Sequence, residues 1–208
     1  MSQIALTPKN TGKRKKSNVV LAILAGGVVL GVGAAVTLAA WQDDEFANGT
    51  FTASDFNLVG QVSTDDGFTD HATTPGGALG FDVNAAGLAP GAVSYAPYGV
   101  ELDTGTTVPA AVTVTAGTGT GTVADLTYGL YQVADFTCDA AAVTAGTALV
   151  PAGTALGTVP AATSFDLTAG TTSAAGTPQY LCFVVTAGDG LTEGQTGTAV
   201  WHFQAVSQ

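Results

Sequence analysis

Gln179-Tyr180-Leu181-Cys182-Phe183-Val184-Val185-Thr186-Ala187 is a nearly continuous apolar run in a chain otherwise interrupted every few residues by Gly, Thr or Pro. A short run rich in β-branched and aromatic side chains, bounded by turn residues, predicts a central strand with both faces covered. Downstream, Gly188–Thr198 reads as a turn. Ala199, Trp201, Phe203 and Ala205 then alternate with Val200, His202, Gln204 and Val206, the two-residue period of a strand with one apolar face. Upstream the same period recurs at Phe56, Leu58, Gly60 and Val62, at Leu79, Phe81, Val83 and Ala85, at Tyr98, Val100 and Leu102, and at Val108, Ala110, Val112 and Val114. Leu126–Phe136 is a further, aromatic-rich candidate. Between Ala140 and Pro178 the pattern thins, and Ala148–Val150 and Ser164–Leu167 read as edge strands or parts of long loops. No helical period is read after Ala40. Roughly seven to nine strands at this spacing predict an all-β chain, a single antiparallel β-sandwich of jelly-roll or immunoglobulin-like kind. Ala-Gly-Thr at 116–118, 145–147 and 169–171 is irregularly spaced and reads as turn chemistry, not as a repeat.

Charge divides the chain sharply. All five Lys and Arg lie at or before Lys16, and all sixteen Asp and Glu lie at or after Asp43. The part from Ala40 onward therefore carries a side-chain charge of −16 with His neutral. Nucleic-acid binding, which rests on cations that neutralise phosphates, is excluded for that part. So are catalytic lysines, lysine isopeptide crosslinks and Lys/Arg ion pairs. The acidity itself has two readings, solubility with suppressed association, or an assembly that waits for salt or divalent cations to screen repulsion.

The N-terminal part reads as an export signal. Lys13, Arg14, Lys15 and Lys16 precede Val19–Ala40, twenty-two residues without a charge, and the acidic Asp43-Asp44-Glu45 follows. Such a basic flank is held on the cytoplasmic side while the apolar segment enters the membrane. As a helix the run would span roughly 33 Å, enough for a bilayer core of about 30 Å. Gly26, Gly27, Gly31 and Gly33 weaken it, however, and the run ends in small residues that a signal peptidase accepts. Cleavage between Ala39 and Ala40 would place Thr37 and Ala39 at the third and first positions before the bond. The expected organisation is a basic lead and signal peptide over 1–39 and a secreted β-sandwich domain over 40–208, with an uncleaved N-terminal anchor as the alternative. Cys138 and Cys182 both fall in the exported part and are predicted to form a disulfide, worth about 4 kcal/mol in the chain-entropy account.

Thr37, Ala39, Ala40, Trp41 and Asp43, followed by Gly49, Thr50 and Phe51, give this region a pattern that resembles TasA/camelysin-type exported proteins. The nearer likeness is to the actinobacterial alternate-type signal peptide domain-containing proteins. The resemblance implies processing by a dedicated, non-standard signal peptidase and a β-sandwich. For some members it implies polymerisation into surface or biofilm-matrix fibres by loan of an N-terminal strand to a neighbour. In this chain the donor would be Ala40–Phe51, with Trp41, Phe46 and Phe51 filling pockets. The alternative is that the segment pairs within its own domain as a first strand.

The search for chemistry in the sequence ends without a catalyst. Asp103-Thr104-Gly105-Thr106 is similar to an aspartic-protease loop, but that reaction needs a second carboxylate sharing the proton, and Asp-Thr-Gly is also hairpin-turn material. Asp65, Asp66, Asp70 and His71 put metal-ligand types in one loop without calcium-loop spacing, so weak divalent-cation binding is weighed against a solvated turn. His202 falls out of phase with Trp201 and Phe203 and is expected on an outer face. Gly117-Thr118-Gly119-Thr120-Gly121 lacks the lysine and following helix of a phosphate loop. Asn48-Gly49-Thr50 fits a glycosylation acceptor, a short pattern that also arises by chance. No cofactor, small-molecule substrate or His-Glu-x-x-His zinc motif is read. The expected function is a secreted structural protein of a cell surface or extracellular matrix, self-assembling into a homopolymer. The alternative is a monomeric binding module, secreted or membrane-tethered, that recognises a ligand through Ser63–Gly77 or Ala140–Pro178.

Overall fold

The computed structural model describes residues 45–50, 55–82 and 87–208. The chain divides into two units, Met1–Phe51 and Thr52–Gln208. The expectations placed on Val19–Ala40, on cleavage at Thr37, Ala39 and Ala40, on Trp41 and Phe51, and on Val83 and Ala85 lie outside the described residues. In the first unit Glu45–Thr50 is exposed and has no regular structure. The second unit contains, in chain order, β1 (Leu58–Gln61), β2 (Val93–Leu102), β3 (Ala110–Ala116), β4 (Thr120–Gly121), β5 (Leu126–Val133), α1 (Ala140–Ala145), β6 (Thr147–Ala155), β7 (Ser164–Leu167), β8 (Gln179–Ala187), β9 (Gly197–Thr198) and β10 (Trp201–Ser207). All strand pairings are antiparallel, and the chain is all-β in class.

The apolar run becomes β8, the middle strand of a five-stranded sheet ordered β1–β2–β8–β5–β6. Leu181, Phe183, Val185 and Ala187 point to one face and are almost wholly buried. On the other face Cys182 is sealed by its disulfide to Cys138, with Cα atoms 5.1 Å apart. Tyr180 meets Phe136 edge-on, with ring centroids 6.2 Å apart. Both faces of this strand are thus occupied, which is why it reads as a run instead of an alternation. β2 starts well before the alternation at Tyr98. Pro97 interrupts the apolar pattern yet pairs opposite Cys182. It lies beyond the stretch from Gly99 to Leu102 that β1 covers, where a missing N–H is tolerated.

β10, β3 and β7 form a three-stranded sheet in that order. Trp201, Phe203 and Ala205 lie opposite Ala116, Val114 and Val112, and Val112 lies opposite Phe165. Residues paired across antiparallel strands share a face, so these apolar positions line one side. One hydrophobic cluster then draws on both sheets, joining Val112, Val114, Phe165 and Leu167 to Val100, Leu102, Leu130 and Phe183. β4 and β9 pair as a separate two-stranded ribbon.

Three expectations are corrected. The segment after Cys138 contains a helical turn, α1, although no helical period was expected after Ala40. Its N-cap is Asp139, whose Oδ1 accepts the Ala142 N–H at 2.8 Å, and its first residues are three alanines, the strongest helix formers. β6 runs from Thr147 to Ala155, well beyond the short candidate at Ala148–Val150, because β5 pairs along it through a register shift near Leu130. Finally, Leu79–Asp82 keeps the expected alternation of burial without forming a strand. Its link to the sheet is the Asp82 N–H bond to the Tyr95 carbonyl together with the Asp82 carboxylate, which takes the Ser94 hydroxyl and the Tyr95 N–H, each at 2.8 Å.

The disulfide ties the segment ahead of α1 to the middle strand across 44 residues of chain. Replacing both cysteines by serine is expected to lower unfolding free energy by about 2–4 kcal/mol. Denaturant titration of the two proteins checks this, and coincident midpoints would refute it.

Candidate functional site

Beside β10 the second unit opens into a cleft of ≈ 1020 Å³. Its walls come from the inward faces of β1, β2 and β8 on one side and from β10 on the other, with Leu79 and Phe81 and the loop Asp70–Gly77 at its margin. Aromatic rings make its floor. Phe183 and Trp201 are 4.5 Å apart between centroids and Tyr98 and Phe203 5.2 Å, and behind them buried Tyr128 packs on Trp201 at 5.4 Å. These rings meet because Trp201 and Phe203 are in phase on β10, while Tyr98, Phe183 and Tyr128 share one face of β2, β8 and β5, with Tyr98 opposite Leu181, Phe183 opposite Leu130 and Tyr128 opposite Val185. Gly60 makes room for one of them. A Cβ at that position would run into the Tyr98 hydroxyl, so the absent side chain lets the ring lie over β1. Burial of the Tyr98 phenol pushes its pKa up to about 12. Tyr128 is also shifted upward, chiefly by burial, and its hydroxyl donates to the Thr158 carbonyl at 2.7 Å.

β10 ends its sheet. Among the described residues it pairs along one side only, with β3, so its outer edge offers backbone groups to another chain. Along it His202, Gln204 and Val206 face solvent, and Val206 is 58% exposed. His202 is on the outer face, with Nδ1 3.5 Å from Thr115 Oγ1. Phe46, from the first unit, is 92% exposed in an extended acidic stretch.

Several sequence candidates have structural occupations. Asp103 and Thr106 close a tight turn, with the Thr106 N–H on the Asp103 carbonyl at 3.0 Å and Gly105 at φ 93°. The turn anchors the start of β1. Asp103 N–H donates to the Asn57 carbonyl, Asn57 N–H donates to the buried Thr106 hydroxyl, and Asn57 Nδ2 donates to Asp103 Oδ2. Gly117–Gly121 leads into the β4–β9 ribbon, where Gly119 and Gly121 lie against the backbone of Thr198 and Thr196. In the acidic loop Asp65, Asp66 and Asp70 are exposed. Asp70 Oδ1 accepts the Ala72 N–H at 2.9 Å, and His71 Nε2 is 3.3 Å from Thr69 Oγ1. His71 Nδ1 is buried without a hydrogen-bond partner among the described residues. No group of three or more His, Cys, Asp or Glu among the described residues converges as a metal site.

Ser94 lines the cleft and is not among the sequence candidates, nor is its partner Asp82. Ser94 carried a signal, being a polar residue in phase with Ala96, Tyr98 and Val100. Its inward hydroxyl needs a partner, and Asp82 supplies it. The described residues include no Lys or Arg. Glu101 is shifted upward by burial and then by Asp103, whereas exposed Asp135 is held low by its bonds to Thr137.

The chain matches no protein-family model and no curated protein sequence. Among the described residues no helix is long and apolar enough to cross a membrane.

Tyr98 gives the fold an alkaline limit. Its phenol titrates at 10.0 when unperturbed and about 12 here, so the unfolded chain releases that proton first. The stability from burying the neutral phenol is fully present below pH 10.0 and is lost as pH rises towards about 12. Tyr98→Phe is expected to flatten that decline in thermal melts. Gly60→Ala, which forces the ring aside, is expected to cost about 1–3 kcal/mol. An alkaline decline as steep in Tyr98→Phe as in the wild type would refute the assignment.

Proposed function

We propose that the chain is a secreted structural protein of a cell surface or extracellular matrix, a single β-sandwich whose copies join by strand donation into a homopolymer. The observation that carries the reading is the outer edge of β10, free of a strand among the described residues and bordered by an aromatic-floored cleft. An extended apolar-studded segment from a second copy suits both features. Its backbone would extend the three-stranded sheet and its rings would enter the cleft. Ala40–Phe51 is the proposed donor, with Trp41, Phe46 and Phe51 as the inserting side chains, and the exposure of Phe46 supports that role. The basic cluster at Lys13–Lys16 ahead of an uncharged run supports export, and the resemblance to TasA/camelysin-type and alternate-type signal peptide proteins supports removal of the leader by a non-standard signal peptidase. The role is non-catalytic.

Charge sets the conditions of such assembly. Each exported copy would bring sixteen acidic side chains and no Lys or Arg, so copies repel at low ionic strength. Light scattering and electron microscopy of the exported part are expected to show polymer growth rising with salt or calcium, and loss of polymers when Ala40–Asn48 is deleted. Undiminished multimers from the deletion protein would sink strand donation through this segment.

The loop Asp70–Gly77 at the margin of the cleft favours a second reading, a monomeric binding module that holds a ligand there. Size-exclusion chromatography across a salt and calcium series separates the two. A sharp monomer under every condition would support the binder and overturn the polymer.

A further inference from the structure

Asn48-Gly49 is the only Asn-Gly pair in the chain; the other asparagines, Asn10, Asn18, Asn57 and Asn84, precede Thr, Val, Leu and Ala. We propose that Asn48 is a site of spontaneous covalent modification, converted through a cyclic imide into aspartate and isoaspartate. The reaction requires the backbone nitrogen of the following residue to reach the side-chain amide carbon. A side chain on that residue obstructs the approach, and Gly49 has none. A backbone held in a ladder also prevents it. Glu45–Thr50 is exposed, has no regular structure, and among the described residues neither Asn48 nor Gly49 has a hydrogen-bond partner.

Asn57 supplies the contrast within the same protein. Its N–H is bound to Thr106 Oγ1 at 3.0 Å, its carbonyl accepts the Asp103 N–H at 3.0 Å, and its Nδ2 donates to Asp103 Oδ2 at 3.3 Å. The following Leu58 opens β1. Backbone, amide group and successor are all restrained there.

The atoms balance with water as sole co-reactant. The Gly49 nitrogen forms a bond to Cγ of Asn48, and Nδ2 leaves as ammonia with the proton from the Gly49 N–H. Water then opens the imide. Breaking the nitrogen–Cγ bond gives aspartate, and breaking the bond to the main-chain carbonyl carbon gives isoaspartate, whose main chain runs through Cβ. Nothing is oxidised or reduced. Either product adds a negative charge three residues after Glu45. Isoaspartate also lengthens the backbone by one carbon, which shifts the side chains beyond it out of phase in any strand the segment forms. This last consequence rests on the proposed strand donation; the chemistry does not.

The test uses the exported part, aged at neutral pH and physiological temperature and cut after glutamate, which releases the peptide from Phe46 to Glu101. Fragmentation mass spectrometry is expected to find a gain of about 1 Da growing at Asn48 while Asn57 stays unchanged. Gly49→Ala should slow the gain at least severalfold, and Asn48→Gln should abolish it. No gain at Asn48, an equal gain at Asn57, or an unaltered rate in Gly49→Ala would each overturn the proposal. The readout is independent of polymer formation, so failure of strand donation leaves the mass gain in place, and failure of the modification leaves polymers unaffected.

Discussion

The contact between β10 and the five-stranded sheet is made of rings, and the remaining packing follows from it. Phe183 and Trp201 approach to 4.5 Å and Tyr98 and Phe203 to 5.2 Å, at tilted angles that suit aromatic quadrupoles. Each ring belongs to a strand whose neighbours are in phase with it. The smaller aliphatic residues, among them Val112, Val114, Leu130 and Leu181, are buried around this seam. Because large rings cannot be compressed, they hold the sheets apart at one side as well as joining them. The cleft is the space that remains beside them.

A second constraint is the lack of any Lys or Arg after Lys16. Polar cohesion in the second unit must then come from backbone pairing and from short side chains acting on backbone groups. Asp82 on the Tyr95 N–H, Thr106 on the Asn57 N–H and Asp139 on the Ala142 N–H are of this kind, and Asp82 on the Ser94 hydroxyl and Asp103 on the Asn57 amide add bonds between short side chains. Each of these carboxylates takes N–H or hydroxyl donors, a role that survives changes in ionic strength better than surface ion pairs do. Acidic residues thus serve as turn and cap chemistry inside each copy. Between copies they act as a repulsive field that salt reduces.

These two features give the proposed structural role its logic. A protein that coheres through sheets, and ends one of them beside an aromatic cleft, has a surface suited to further sheet pairing. Edge strands invite association, and dense negative charge opposes it. Which effect prevails in the proposed assembly depends on the ionic surroundings.

The period-two alternation of apolar residues is local, and so it was legible in the sequence. Trp201 and Phe203 facing inward, His202 facing outward, the middle position of Gln179–Ala187 and the all-β class followed from it. The Cys138–Cys182 bond followed from there being only two cysteines. Alternation does not say which strand pairs with which, nor whether an alternating run finds a partner. Leu79–Asp82 alternates yet joins no ladder, and Val59, on the face opposite Leu58, is buried to 5% exposure all the same. The helical turn α1 was written in Asp139 and three alanines, but a single capped turn has no period to detect. The position of β10 at an edge, the space over Gly60 that admits Tyr98, and the pairing of Asp82 with Ser94 depend on residues far apart in the chain meeting in three dimensions. Only the tertiary structure decided those, because each is set by the packing of whole sheets and not by any neighbouring residue.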